Sequence, residues 1–324
     1  MPDVTCCLWE SDSLSGYLSE STISRNIPAD MLALDDSDIM NTQTNNLQAA
    51  LIAFIAFTAF SGADTIVKTL SARVGVYETT FLLSVFALLF IVSHGALSGQ
   101  VRQLVPSYPK LAFGRALLLS MNTLLIYYAF SALPLAEAYV LGFLSPIFVA
   151  VVAFIMVGER LSLRGWIGVI LGFAGVIWVL QPGSATLSAG HFAALGSALF
   201  FAIAQVMLRR AKNDESDKAL VLALLIVQSV FAGLLALYNG LVQPVWQDLG
   251  LAVLGGGLIA FAQTMIVKAF RLGSASVVAP VQYSQIIWGL FYGALLFNAP
   301  VELHMLVGAV IILISGWLVL QQKR

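Results

Sequence analysis

The chain has 324 residues, of which 59% are apolar and only 10% charged, and its mean hydropathy is +0.91. Soluble domains carry roughly 25% charged residues, so most of this chain does not face water, and the composition indicates an all-α integral membrane protein. The net charge of −1 identifies no partner, because in such proteins the placement of charge matters and the sum does not. The two cysteines, Cys6 and Cys7, are adjacent, a spacing that suits neither a disulfide nor a metal site. No metal, no cofactor and no nucleic acid is expected.

Residues 1–46 carry Asp3, Glu10, Asp12, Glu20, Asp30, Asp35, Asp36 and Asp38 against Arg25 alone, with no apolar run. This reads as a disordered acidic tail, not as a signal peptide, which needs a basic start and an apolar centre. Met40 opens a polar leader directly before the first apolar run and offers an alternative start. Ten apolar segments follow, at about 48–70, 77–97, 111–131, 135–157, 162–181, 188–209, 219–241, 249–270, 273–297 and 302–321. Each is close to the ~20 residues that cross a bilayer at about 1.5 Å per residue.

The basic residues orient these segments. With both termini in the cytoplasm, the inner loops and C-terminus hold Arg102, Lys110, Arg160, Arg164, Arg209, Arg210, Lys212, Lys218, Lys268, Arg271, Lys323 and Arg324. The outer side holds only Lys68 and Arg73. Twelve against two is a strong positive-inside bias, and an odd number of spans would scramble it. Ten spans in a bacterial inner membrane are therefore predicted.

An internal repeat supports the count. A shift of 140 residues carries Ala129-Phe130 onto Ala269-Phe270, Ile147 onto Ile287, Leu163 onto Leu303, Gly168 onto Gly308 and Val179-Leu180-Gln181 onto Val319-Leu320-Gln321. A duplicated unit is the expected cause, with halves at 47–182 and 183–324. Five helices per half is an odd number, so the second copy enters the membrane from the opposite side. Inverted repeats of this kind surround a central site and rock between inward-open and outward-open forms.

The stretch from Tyr127 to Pro182 carries a resemblance. It contains Tyr127-Tyr128-Ala129-Phe130, a helix with Pro146, Gly158-Glu159-Arg160, and then Trp166-Ile167-Gly168, Leu171-Gly172, Gly175-Val176 and Leu180. In this order the sequence resembles the EamA-type members of the drug/metabolite transporter superfamily, over residues 48–321. The resemblance implies a ten-helix secondary carrier of small organic solutes. Families of this type include exporters of amino acids and uptake carriers for flavins and S-adenosylmethionine. Glu159-Arg160 belongs to the family's inner-loop signature. The second half departs from it, with Asn298-Ala299-Pro300 where a Gly-Glu is usual.

Ionisable and polar residues within the spans are the site candidates, since each charge costs about 2.5–3.5 kcal/mol on insertion scales. Asp64 and Lys68 are four residues apart on one helix face and align, at an offset of 141, with Gln205 and Arg209. Either Asp64 lines a cavity and binds a substrate amine or a proton, or the two form a neutralised pair with Lys68 reaching the surface. Arg115 either holds a substrate carboxylate or extends to the headgroups. Asn122, a mid-span amide beside Thr123, is the better cavity candidate because it needs hydrogen-bond partners. Glu137, three residues after Pro134, suits the first turn of a helix, and Glu78 stands at a similar helix end. With Asp64, Lys68 and Arg115, Glu137 completes the set of candidate coupling groups.

Pro146 and Pro280 interrupt the corresponding helix of each half. After Pro280 come Gln282, Tyr283, Ser284, Gln285 and Trp288, whose polar and aromatic groups suit a cavity able to stack a flat substrate or hold a cation. Gln263 and Thr264 are candidates to join it. Gly168, Gly172 and Gly175 form a small-residue face suited to close packing within the chain or in a homodimer.

No G-x-x-x-x-G-K-[ST] motif is present, which excludes nucleotide coupling through that motif. His94, His191 and His304 are isolated in sequence and form no H-E-x-x-H motif, which weighs against an intramembrane metalloprotease. The alternatives kept beside a metabolite carrier are a broad-specificity exporter, an intramembrane enzyme and a non-transporting scaffold. Asp64, Tyr283 and Trp288 together predict a zwitterionic or cationic, partly planar solute, amino-acid-like or of the flavin or S-adenosyl type.

Overall fold

A computed structural model of the chain describes residues 36–97, 105–158, 162–180, 187–209, 216–272, 278, 281–300 and 302–320. The regular elements among them are α-helices: α1 (Asp36–Val74), α2 (Val76–Leu97), α3 (Pro109–Ala132), α4 (Leu135–Gly142), α5 (Ser145–Val157), α6 (Leu163–Leu180), α7 (Ala189–Arg209), α8 (Asp217–Asn239), α9 (Trp246–Leu272), α10 (Ser284–Phe297) and α11 (Leu303–Leu320). The backbone is already helical at Asp36, within the tail expected to be disordered; residues 1–35 lie outside the described residues, as does Glu159-Arg160.

Among the described residues, eight helical stretches are long and apolar enough to cross a membrane; 284–297 and 303–318 are shorter apolar helices. Eight of the ten predicted spans thus have a described helix of full length, and the ninth and tenth have a shorter one. The ninth predicted span includes residues outside the described set, and its described helix from Ser284 follows a turn at Gln282 and Tyr283. The fourth has the same interruption at Phe143 and Leu144, between α4 and α5. The restarts at Ser145 and Ser284 are 139 residues apart.

Local chemistry explains the other boundaries. Pro109 opens α3, where its missing N–H costs no helical bond. Gly75, at φ 89°, turns the chain directly from α1 into α2. The C-cap of α5 is Gly158 at φ 77°, and 140 residues later the C-cap of α10 is Asn298 at φ 50°. Asn is the residue after Gly that best tolerates this left-handed conformation. The departure from Gly-Glu at Asn298 therefore preserves the backbone turn.

Lipid is as apolar as the side chains, so helix association relies on close packing, which small residues permit. The main helix pairs are α3 with α7, α6 with α11, α2 with both α8 and α9, α3 with α8, α5 with α7, and α4 with α10. A cluster of Ala49, Ala53, Phe57 and Ala269 joins α1 to α9. Exchanging each helix for its counterpart in the other half returns several of these pairs: α6–α11 and α2–α8 map onto themselves, α2–α9 maps onto α3–α8, and α1–α9 maps onto α3–α7. The small-residue face of α6 is occupied within the chain. A Cβ at Gly172 would collide with Ile147 and lie 2.9 Å from Ser315 Oγ, and one at Gly175 would lie 2.9 Å from Ile312 Cγ1. These glycines seat α6 on α11 and α5, so they do not supply the free surface that a homodimer through this face needs.

Candidate functional site

The breaks in the two interrupted spans frame a cavity of about 210 Å³. Its polar wall is Asp64 from α1, Asn122 from α3, Ser145 from α5, Ser197 from α7, and Gln282 and Gln285 at the start of α10. Its aromatic wall is Phe130, Tyr139, Phe143 and Phe201. Interrupting a membrane helix leaves backbone groups unpaired, which is tolerated where they line a cavity. Both interruptions fall where this cavity is.

Asp64 is 9% exposed, and Tyr139 Oη donates a hydrogen bond to its Oδ2 at 2.6 Å. The Tyr139 ring stacks on Phe143 at 6.0 Å and meets the edge of Phe130 at 5.2 Å. Phe143 in turn meets Tyr283 edge-on at 5.3 Å. This row of rings fixes the phenol, and the phenol fixes one oxygen of the carboxylate. The other oxygen, with Asn122, Gln282 and Gln285, supplies a mixed set of donors and acceptors opposite apolar walls. Such a site can bind a small polar solute with an amino or other donor group and can carry a proton on Asp64.

The family profile of the EamA-like transporter family matches residues 47–181 and again residues 188–321. The chain belongs to the EamA-like transporter family. It is an integral membrane protein in which the EamA domain occurs twice. It is 26% identical to a riboflavin transporter of Vibrio cholerae over 283 residues, 85% of this chain and 94% of that one. It is 26% identical to a pseudopaline exporter of Pseudomonas aeruginosa over 82% of this chain and 93% of the exporter. An S-adenosylmethionine uptake transporter of Rickettsia bellii is 25% identical over 83% of this chain and 92% of its own length. A solved crystal structure matches with a TM-score of 0.58 at 18% identity, covering 84% of this chain and 95% of that one; at that identity the likeness concerns the fold alone.

Within this EamA-like bundle, the predicted site residues divide. Asp64, Asn122, Gln282 and Gln285 share the cavity wall. Trp288 does not reach it: its ring stacks on Tyr292 at 5.7 Å and contacts Phe291 at 6.0 Å and Phe54 of α1 at 6.3 Å. Three residues beyond Gln285, it lies about one turn further along α10, packed against Phe54 of α1. Tyr283 stands behind Phe143, with its hydroxyl packed where a side chain on Gly316 would be. Gln205 meets Arg115 instead, the Nη2 to Oε1 separation being 3.5 Å, so Arg115 faces α7. Gln263 lies in a separate groove beside α2 and α8, and the Thr264 hydroxyl donates to Ala260 O.

Lys68 and Asp64 share a helix face but not a bond among the described residues. Lys68 Nζ donates to Phe130 O at 2.8 Å and to Leu133 O at 2.6 Å, and lies 5.4 Å from the centre of the Phe297 ring. Carbonyls at a helix C-terminus carry the negative end of its dipole, so the ammonium clamps the end of α3 to α1. Lys68→Met is expected to lower stability by about 2 kcal/mol, the scale of hydrogen bonds to a charged group. Thermal unfolding in detergent checks this, with Lys68→Arg expected to recover part of the loss.

Glu137 is a junction between helices. Its Oε1 lies 2.9 Å from His191 Nε2 at the start of α7. The Ser188 N–H donates to His191 Nδ1 at 2.9 Å, so Nδ1 is an acceptor and Nε2 carries the proton that Glu137 receives. Two more contacts lie at the same face of the bundle. Arg73 at the end of α1 pairs with Asp248 at 3.0 Å, and Glu78 Oε1 accepts the Val242 N–H at 3.0 Å. Asp248 Oδ2 also accepts the Val245 N–H, capping α9. His191, isolated in sequence, is thus partnered across 54 residues, and His304 pairs with Glu302 at 3.0 Å. Tyr139, the one side chain bonded to Asp64 among the described contacts, carried no signal in the sequence beyond being a phenol inside an apolar run.

Proposed function

We propose that the chain is a secondary carrier that moves a small organic metabolite across a bacterial inner membrane by alternating access of the Asp64 cavity. The observation that carries this reading is the composition of the cavity wall: Asp64, Asn122 and Tyr139 come from one EamA domain, and Ser197, Gln282 and Gln285 from the other. A solute held by both domains couples their relative motion to its own binding. Ten spans as two inverted repeats, with both termini cytoplasmic, are the topology this mechanism needs. The twelve-to-two bias in Lys and Arg and the exchange-symmetric helix pairs support it. In that orientation the Glu137–His191, Arg73–Asp248 and Glu78–Val242 contacts all lie outside. They would hold the outer ends together while the cavity is open to, or occluded toward, the cytoplasm.

The substrate proposed is a compact zwitterion or cation, amino-acid-like in size. A cavity of about 210 Å³ is below the ~300–1,000 Å³ of sites for drug-sized ligands. A flavin or an S-adenosyl compound, the classes named for two of the relatives, needs the helix breaks to open further. Asp64 is the proposed proton or amine acceptor; Lys68, Arg115 and Glu137 act through structure. The test is uptake into proteoliposomes by a panel of labelled amino acids, riboflavin and S-adenosylmethionine, with and without a pH gradient. Accumulation of one class supports the carrier reading, with a gradient dependence assigning proton coupling. No flux of any class by correctly inserted protein, in either orientation of the gradient, contradicts it.

A further inference from the structure

A second concavity, of about 560 Å³, lies between α2, α8 and α9. Its origin is in the packing. A Cβ at Gly256 would lie 2.6 Å from Phe86 Cβ and 2.9 Å from the Ala87 backbone nitrogen, so α9 touches the backbone of α2 there. One residue on, Gly257 meets only the ring of Phe90, at 3.3 Å from an added Cβ. Beyond this point the two helices leave room between them, and the first turns of α8 form the third wall. Phe90, Phe261 and Met265 are among the side chains that make the walls apolar.

One end of the groove differs. His94 near the end of α2, Lys218 in the first turn of α8 and Lys268 near the end of α9 all line it. These helix ends are at the opposite face from the Arg73–Asp248 contact, because each helix runs the full length of the bundle. A trough that is greasy along its length and cationic at the headgroup level has the chemistry of a basic inter-helix lipid pocket. Asp217 precedes Lys218 in the first turn of α8 but does not line the groove, whose charged side chains are Lys218 and Lys268.

We propose that this groove binds one anionic phospholipid, with acyl chains between α2, α8 and α9 and its phosphate against Lys218 and Lys268. The inference stands apart from the transport reading, since none of these residues lines the Asp64 cavity. A lipid wedged here contacts α2 of one EamA domain and both α8 and α9 of the other.

Native mass spectrometry of the detergent-solubilised full chain tests it, with dioleoyl phosphatidylglycerol and dioleoyl phosphatidylcholine as probes. The expected result is one phosphatidylglycerol retained under activation that strips phosphatidylcholine. Lys268→Gln is expected to weaken phosphatidylglycerol about fivefold and the Lys218→Gln/Lys268→Gln pair about 25-fold, at roughly one such factor per basic group. Thr264→Trp, which fills the groove from an exposed position, is expected to remove the retained lipid, with circular dichroism confirming helicity. Equal retention of both lipids by the wild-type chain overturns the proposal. So does phosphatidylglycerol binding that survives the two lysine substitutions, or that survives Thr264→Trp in folded protein.

Discussion

Replacing Asp64 by Asn is expected to reduce proteoliposome transport about 100-fold while leaving the fold intact. Asn is nearly isosteric, and its amide oxygen can still accept the Tyr139 hydroxyl that Asp64 Oδ2 accepts at 2.6 Å. What it cannot supply is a negative charge or a proton-binding site. Asp64 is the only Asp or Glu on the cavity wall among the described residues. Losing a charge-assisted hydrogen bond to the solute costs about 2–3 kcal/mol, which is roughly the stated factor, and a proton-coupled cycle loses its carrier as well. Tyr139→Phe should reduce transport less, about tenfold, because the carboxylate remains and only its orientation is released. Equal flux by wild-type and Asp64→Asn protein, at matched reconstitution, would place the site elsewhere.

The second large effect is structural. Gly256→Ala is expected to destabilise the bundle by about 1–3 kcal/mol, the range for overpacking. An added methyl there meets the backbone of α2, at 2.9 Å from Ala87 N and 3.0 Å from Leu83 O. Backbone cannot rotate aside, so α2 and α9 must separate. Gly257→Ala meets only the Phe90 ring, and an added Cβ at Gly250 meets nothing within 4 Å. Those two substitutions should be neutral or slightly stabilising, since alanine favours helix by up to about 1 kcal/mol over glycine. Thermal unfolding of the three variants side by side separates close packing from helix propensity.

Much of the architecture was legible in the sequence, because charge and apolarity are one-dimensional properties. The apolar runs and the repeat follow from composition and spacing, and the family resemblance rests on the motifs between Tyr127 and Pro182. The turn at Asn298 was visible as a departure, and its meaning became clear only once its left-handed conformation matched that of Gly158. The site was legible in part. Asp64, Asn122, Gln282 and Gln285 stood out as polar groups within apolar helices, and they share one cavity. Trp288 stood out for the same reason but packs one turn beyond the cavity against Phe54, Phe291 and Tyr292, contacts that depend on how α1 approaches α10.

Partners were the least legible. Asp64 and Lys68 share a face, yet each bonds to a different distant group: Asp64 to Tyr139, and Lys68 to the carbonyls of Phe130 and Leu133. Tyr139 is one of nine tyrosines and gains its role solely from the approach of α4 to α1. His191 and Glu137 are 54 residues apart and meet only because α4 and α7 start at the same face.

The most direct measurement is a thermal-shift comparison of purified wild-type and Asp64→Asn protein against amino acids, polyamines, riboflavin and S-adenosylmethionine. A ligand that binds only the native state adds about 2.7 kcal/mol of stability at a hundredfold excess over its Kd. A solute that binds in the cavity between the two EamA domains should raise the melting temperature of the wild-type protein, within one chemical class, and leave Asp64→Asn unmoved. A ligand that stabilises both proteins equally, or a flat response of folded wild-type protein to every class, would contradict the assignment of the Asp64 cavity as the transport site.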